Sequence, residues 1–326
     1  MIITAAHGSG GSATNQLVTE VFAKHFHNEI LNRMEDSAVV SSSERIAIST
    51  DSFVVTPRFF PGGDIGKLAI CGTVNDLLMS GAIPKYLTCG FIIEEGALIE
   101  ELDLIAASMA REANASGIIL VAGDTKVIEG NGGIYINTTG VGFVPSDREL
   151  SVASIEEEDV ILLSGTLGEH HATILSSRMN IKNTISSDCR VLKEGVEALF
   201  DAKIQIKAMR DVTRGGLGTI LNEFSVGSNK GIEIMEEILP ISEQVQGFCS
   251  ILGLNPLYMG NEGKFIAVIP REQAELAIKT LQQIEGYEEA TIIGKVVPRA
   301  GVRMITKLGG VVRVDVLQGE GLPRIC

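Results

Sequence analysis

Apolar residues fall along the chain in two rhythms. Between Lys67 and Ser80, Ile70, Val74, Leu77 and Leu78 recur at spacings of three and four, which predicts a helix with one buried stripe. A second helix is predicted from Leu98 to Ser116, where Leu98, Leu102, Ile105, Met109 and Ala113 share a face and Gly117 is placed to end it. Short β-branched runs at Arg45–Thr50 and Ile118–Ala122 predict buried strands instead, and Ile134–Val141 reads as a strand. After the polar stretch Ser146–Glu149 the theme repeats. Strands are predicted at Val160–Ser164, Phe265–Ile269, Thr291–Lys295 and Val311–Val316, and helices at Arg190–Phe200, Gly216–Phe224 and Arg271–Gln283. The alternation lacks the regular rhythm of a doubly wound sheet, so the fold class is α+β, in two halves. These are residues 1–150 and 151–316, followed by a tail, 317–326, whose glycines and proline predict a mobile arm. From Asp315 to Cys326 that arm spans roughly 35–40 Å when fully extended.

Composition narrows the function. The 326 residues suffice for two cores, each of about 150 residues. A formal net charge of −14 repels a phosphate backbone, and no Lys/Arg cluster offsets it, so nucleic acid is not an expected partner. The start lacks a basic segment and a long apolar one, and no uninterrupted apolar run is long enough to cross a bilayer. Cys71, Cys89, Cys189, Cys249 and Cys326 are scattered without a C-x-x-C pair, which suits thiols in a reducing cytosol. The expected location is therefore the cytoplasm. The acidic run Glu156-Glu157-Glu158-Asp159 reads as a solvated turn.

Candidate chemistry gathers around carboxylates. Apolar runs lead into Asp51 and into Asp124, Asp76 follows Asn75 in the first predicted helix, and Asp211 opens Asp211-Val212-Thr213-Arg214-Gly215-Gly216. Carboxylates at strand ends can converge, and Mg²⁺ takes oxygen ligands that it shares with nucleotide phosphates. Each Asp reads equally as a turn residue or helix cap. His7-Gly8-Ser9-Gly10-Gly11-Ser12, before a helix predicted near Thr14, is a loop whose N–H groups can approach an anion. His7 either orders that loop or is simply solvated. Pro61–Leu68, with Lys67, lacks the spacing and hydroxyl of a P-loop. The pairs Asp124/Lys126 and Glu262/Lys264 suit acid–base work or an ordinary ion pair. Cys326, the last residue given, is either inert or a thiol on an arm long enough to visit a distant pocket.

Taken together, His7-Gly8-Ser9-Gly10-Gly11, Ser49-Thr50-Asp51-Ser52, Phe60-Pro61-Gly62-Gly63, Asn75-Asp76, Gly123-Asp124-Thr125-Lys126, Asp211–Gly216, Asn261-Glu262-Gly263-Lys264 and Pro323-Arg324-Ile325-Cys326 resemble the HypE family of hydrogenase maturation proteins over nearly the whole chain. Single pieces are shared with the wider superfamily of aminoimidazole ribonucleotide synthetase and selenophosphate synthetase. Enzymes like the latter place a reactive cysteine near the N-terminus, and none occurs here before Cys71. The resemblance implies a PurM-like fold. It comprises an N-terminal domain that binds ATP and pairs its sheet in a homodimer, and a C-terminal domain beside it. It also implies an ATP-dependent carbamoyl dehydratase. HypF carbamoylates Cys326, ATP activates the carboxamide oxygen, loss of phosphate leaves an S-cyanide, and the HypC–HypD complex accepts the cyanide for hydrogenase iron. On this resemblance Glu262 is the base with Lys126 assisting. Asp51, Asp76, Asp124 and Asp211 hold Mg²⁺ and phosphate, and Gly10, Gly11, Lys67, Asn75 and Asn261 neighbour the nucleotide.

Overall fold

A computed structural model describes residues 2–4, 7, 16–29, 42 and 45–317. Gly10, Gly11, Thr14 and Cys326 lie outside these. The described chain divides into two compact units. One holds the described residues up to Phe59 together with Gly63–Ser146; the other holds Phe60–Gly62 and the described residues from Asp147 onward.

The first unit is a four-stranded sheet backed by helices. Its strands are β1 (Ile46–Phe53), β4 (Ile83–Glu94), β5 (Ile119–Ile128) and β6 (Ile134–Phe143), in the order β1-β6-β4-β5. Two-residue strands β2 (Phe59–Phe60) and β3 (Gly63–Asp64) intervene, and a short helix, α1 (Ala23–Phe26), precedes β1. Strand β6 runs antiparallel to β1 and β4, whereas β4 and β5 run parallel. A parallel pair needs a crossover, supplied by α3 (Ile99–Ser116), and α2 (Ile65–Met79) carries the chain from β1 to β4. Gly117 ends α3 in the left-handed conformation, φ 73°, as its place in the sequence predicts.

Helix α2 departs from the expected single stripe. Every residue of it is buried except Lys67 and Asp76, so it is apolar nearly all round, with two polar openings. Asp64 caps it, its Oδ1 accepting the N–H groups of Gly66 and Lys67. The strands also run further than their apolar stretches. β1 and β5 pass through Asp51 and Asp124, which are mid-strand residues and do not stand at strand ends as expected. Ladder hydrogen bonds continue where the side chains turn polar, and among the described residues helices cover only one face of this sheet. The other face leaves Ile46, Ile48, Ile92, Ile119 and Ile128 exposed, Ile48 by 64%.

The second unit has a seven-stranded sheet in the order β13-β12-β9-β11-β7-β10-β8. These strands are β7 (Val160–Leu163), β8 (Ala208–Asp211), β9 (Gly231–Met235), β10 (Phe265–Ile269), β11 (Thr291–Val297), β12 (Gly301–Ile305) and β13 (Val311–Val314). All neighbours are antiparallel except β12 and β9. Five helices accompany them: α4 (Glu169–Arg178), α5 (Lys193–Asp201), α6 (Gly216–Ser228), α7 (Glu243–Leu252) and α8 (Ala274–Gln282). Strands β7 and β10 are buried throughout, as a sheet covered on both faces requires. Ile161, Leu163, Ile266 and Val268 pack with Leu217, Leu221 and Phe224 of α6. The alternate residue Phe265 meets Tyr287 edge-on at 6.2 Å between ring centroids. The acidic turn is not wholly solvated. Asp159 is buried with Lys207 at 3.0 Å, while Glu156, Glu157 and Glu158 stay in water.

Candidate functional site

Asp51 and Asp76 come together on the helix-covered face of the first sheet. Ser49 Oγ donates to Asp76 Oδ2 at 2.6 Å, and Asp51 Oδ2 lies 4.0 Å from where a side chain at Gly72 would begin. Ser49 and Asp51 share a strand face, and Gly72 and Asp76 share a helix face. The two carboxylates therefore stand about one helical turn apart, ~6 Å. Asn75, beside Asp76, is buried, and Lys67 opens from the first turn of the same helix.

Asp124 does not join them within one chain. Residues level with it across the sheet are Gly90, Asn137 and Ser52, whereas Asp51 is level with Thr138 and Cys89. Neighbours along a strand point to opposite faces, so Asp124 projects from the open face. It is also three strands from Asp51, roughly 14 Å at ~4.8 Å per strand. Its partner is Lys126, whose Nζ lies 2.9 Å from Oδ2 with both side chains about two-thirds exposed. The Lys126 hydrogen bond, helped by the Thr125 N–H, holds the Asp124 carboxyl below its ordinary range despite slight burial. Among the described residues, no group of three or more His, Cys, Asp or Glu side chains is arranged around one metal position. His7 Nδ1 is engaged with Thr4, 3.1 Å from both its N–H and its hydroxyl.

The second unit presents Asp211 at the end of β8, opposite Phe265. The Val212 N–H donates to Lys264 O, and the Asn261 N–H donates to Val212 O. Asn261 is fully buried, and its side chain is spent inside the protein. Nδ2 donates to Val212 O and Met259 O, each at 3.1 Å, and Oδ1 accepts the Gly168 N–H at 2.7 Å. Asn261 thus braces the segment that carries Glu262. Glu262 itself is 4% exposed.

Sequence reasoning missed the group around that segment. Asp188, from the loop before α5, accepts the N–H groups of Glu262 and Gly263 and pairs with Lys264 Nζ at 3.1 Å. Burial works to raise the Asp188 pKa, but the Lys264 ammonium, His170 and the Glu262 N–H outweigh it and leave it low. Glu169, at the start of α4, is raised by burial against the pull of Lys264, and its Oε2 is buried without a partner. His171 Nε2 is likewise buried and unpartnered, and burial, with His170 and Arg178, pushes its pKa down to about 4. The signals were slight: a Glu-His-His run opening a helix and a lone Asp between Ser187 and Cys189. Cys71, Cys89, Cys189 and Cys249 are all buried, and burial raises the Cys249 thiol to about 11, which keeps it unreactive.

Known proteins share this architecture. The AIR synthase related protein family matches over both parts, its N-terminal domain at residues 34–144 and its C-terminal domain at residues 156–307. The carbamoyl dehydratase HypE of Escherichia coli K12 is 44% identical over 334 residues, covering 99% of this chain and 99% of the relative. The chain belongs to the HypE family. A crystal structure of the hydrogenase maturation protein HypE in complex with ATP matches with a TM-score of 0.95 at 43% identity, over 99% of each chain. A HypE–HypF complex matches with a TM-score of 0.81 at 42% identity, over 92% of this chain and 99% of that one. The α+β, PurM-like reading of the sequence therefore stands, and HypE proteins are enzymes, carbamoyl dehydratases. No helix among the described residues is long and apolar enough to cross a membrane.

Proposed function

We propose that this HypE-family chain dehydrates a carboxamide carried on the Cys326 thiol, at the expense of ATP, to give an S-cyanide. The observation that carries the reading is the match to the ATP-bound HypE structure over 99% of both chains. A carboxamide oxygen is a poor leaving group. Transfer of the γ-phosphoryl group to that oxygen makes it a good one. Loss of both N–H protons and departure of phosphate then close the carbon–nitrogen triple bond, so that carboxamide and ATP become nitrile, ADP and phosphate. Glu262 is assigned as the base that takes a proton from nitrogen, with Lys126 neutralising charge as phosphate leaves.

Mg²⁺ is proposed at Asp51 and Asp76, and the residues fit it. The ion commonly uses one or two carboxylates and completes its shell with phosphate oxygens and water, which a half-open pair backed by Ser49 allows. Bound there, it would neutralise triphosphate charge. Asp124, Asp211, Lys67, Asn75, Gly10 and Gly11 remain proposed neighbours of the nucleotide. HypF is proposed as carbamoyl donor, a HypC–HypD complex as cyanide acceptor and a second copy of this chain as partner. The exposed isoleucines of the open sheet face favour that last assignment.

The test is intact mass of the chain after carbamoylation by HypF and then Mg-ATP, beside Cys326→Ala. A gain of about 43 Da followed by a loss of about 18 Da, both absent in the variant, supports the reading (formula masses of a covalent modification). A gain without the loss makes the chain a carrier only. No gain at all sinks it in favour of a free-substrate ATP enzyme.

A further inference from the structure

We propose that Asp188 is a positioning residue for dehydration, holding the main chain of Glu262 from behind so that its carboxylate meets the substrate nitrogen. The inference rests on Glu262 being the base. The loop that carries Asp188 grips Glu262 on both sides. Asp188 Oδ1 accepts the Glu262 N–H at 3.1 Å, Oδ2 accepts the Gly263 N–H at 3.2 Å, and the Arg190 N–H donates to Glu262 O at 3.3 Å. Contact is close enough to demand glycine next door, because a Cβ on Gly263 would sit 1.9 Å from Asp188 O. Lys264 Nζ, 3.1 Å from Oδ2, keeps the buried carboxylate charged and fixed.

The loop is itself anchored. The Ser187 N–H donates to Pro61 O at 2.9 Å. Ser187 Oγ accepts the Cys189 N–H at 3.0 Å and lies 2.7 Å from His170 Nδ1. The His170 ring stands edge-on to Phe60 at 5.4 Å. The Phe60-Pro61-Gly62 motif, which no part of the chemistry claims, thus supports the Asp188 loop within the second unit. A general base acts only within hydrogen-bond reach of its proton, and a displacement of about 1 Å costs roughly 100-fold. An asparagine at 188 keeps the size but presents an NH₂ where one oxygen accepts N–H groups, so the grip on Glu262 loosens.

The experiment follows dehydration of full-length, pre-carbamoylated protein across ATP concentrations for wild type, Asp188→Asn, Glu262→Gln and the double variant. Asp188→Asn should lower the maximal rate roughly 10–100-fold and leave the half-saturating ATP concentration within about twofold. The double variant should be no slower than Glu262→Gln alone, since a residue acting through Glu262 has nothing left to position. A wild-type rate in Asp188→Asn beside a slow Glu262→Gln overturns the inference and spares the base. Losses that multiply in the double variant overturn it too. A wild-type rate in Glu262→Gln overturns the base assignment itself. Should Asp188→Asn fail to fold, Asp188→Asn/Lys264→Met, which removes both buried charges, takes its place with the same expected loss.

Discussion

The two units treat charge in opposite ways. In the first, the carboxylates of interest are part-open: Asp76 meets Ser49 across a helix–strand seam, Asp51 stands on the same strand face as Ser49, and Asp124 pairs with Lys126 in water. In the second, Asp188, Lys264, Glu169 and Glu262 are enclosed, and the Asp188 carboxylate takes two peptide N–H groups and the Lys264 ammonium. An open set of carboxylates leaves space that a ligand's own charge can fill. An enclosed carboxylate satisfied in advance, as Asp188 is, fixes geometry. The first arrangement suits binding of a metal–nucleotide, and the second suits holding a base still.

Removing a partner from the enclosed set should cost most. Lys264→Met strands the Asp188 carboxylate in the interior, and chemical denaturation should show a loss of about 3–5 kcal/mol. A loss below about 1 kcal/mol would mean that water reaches Asp188 and would erase the contrast.

His171 sharpens it next. Its folded pKa of about 4 lies below the ordinary 6.5, so the unfolded chain takes up the proton first as pH falls. Stability is therefore full above the unfolded value and declines toward the folded one, by up to about 3 kcal/mol. Urea midpoints measured between those two pH values should fall for wild type and fall less for His171→Asn. Equal slopes would show that the imidazole is not enclosed.

In the open set the effects are smaller and fall on ligand rather than fold. Asp76→Asn should weaken Mg-ATP binding by about tenfold, or ~1.4 kcal/mol, in titration calorimetry, with stability nearly unchanged. Smallest of all, Lys126→Ala should alter stability by less than about 1 kcal/mol, because its ion pair is mostly exposed, even as dehydration slows. A large loss of stability in that variant would show that Asp124 and Lys126 support the fold.

The sequence reading reached the strongly periodic elements and stopped where periodicity fails. The helix over Lys67–Ser80 is seen at Ile65–Met79 and that over Leu98–Ser116 at Ile99–Ser116. Strand β4 was not anticipated, since Pro84 and Gly90 interrupt its run and its register with β6 shifts between Pro84 and Tyr86. Asp51 and Asp124 were misplaced because apolarity marks a covered face, not the length of a ladder. The bracing role of Asn261 was not legible, because an amide that holds three backbone groups carries no mark in sequence distinguishing it from one that meets a ligand. Asp188 and Glu262 are far apart in the chain, so no local pattern could announce that one holds the other.

The bare isoleucine face of the first sheet carries a consequence for how this chain tolerates change. If two copies meet there about a two-fold axis, each altered side chain enters the contact twice. A polar replacement at Ile48, 64% exposed in the single chain, would then be nearly silent in folding yet count double in assembly. In such a dimer, variation on that face would be constrained by symmetry and not by the core beneath it.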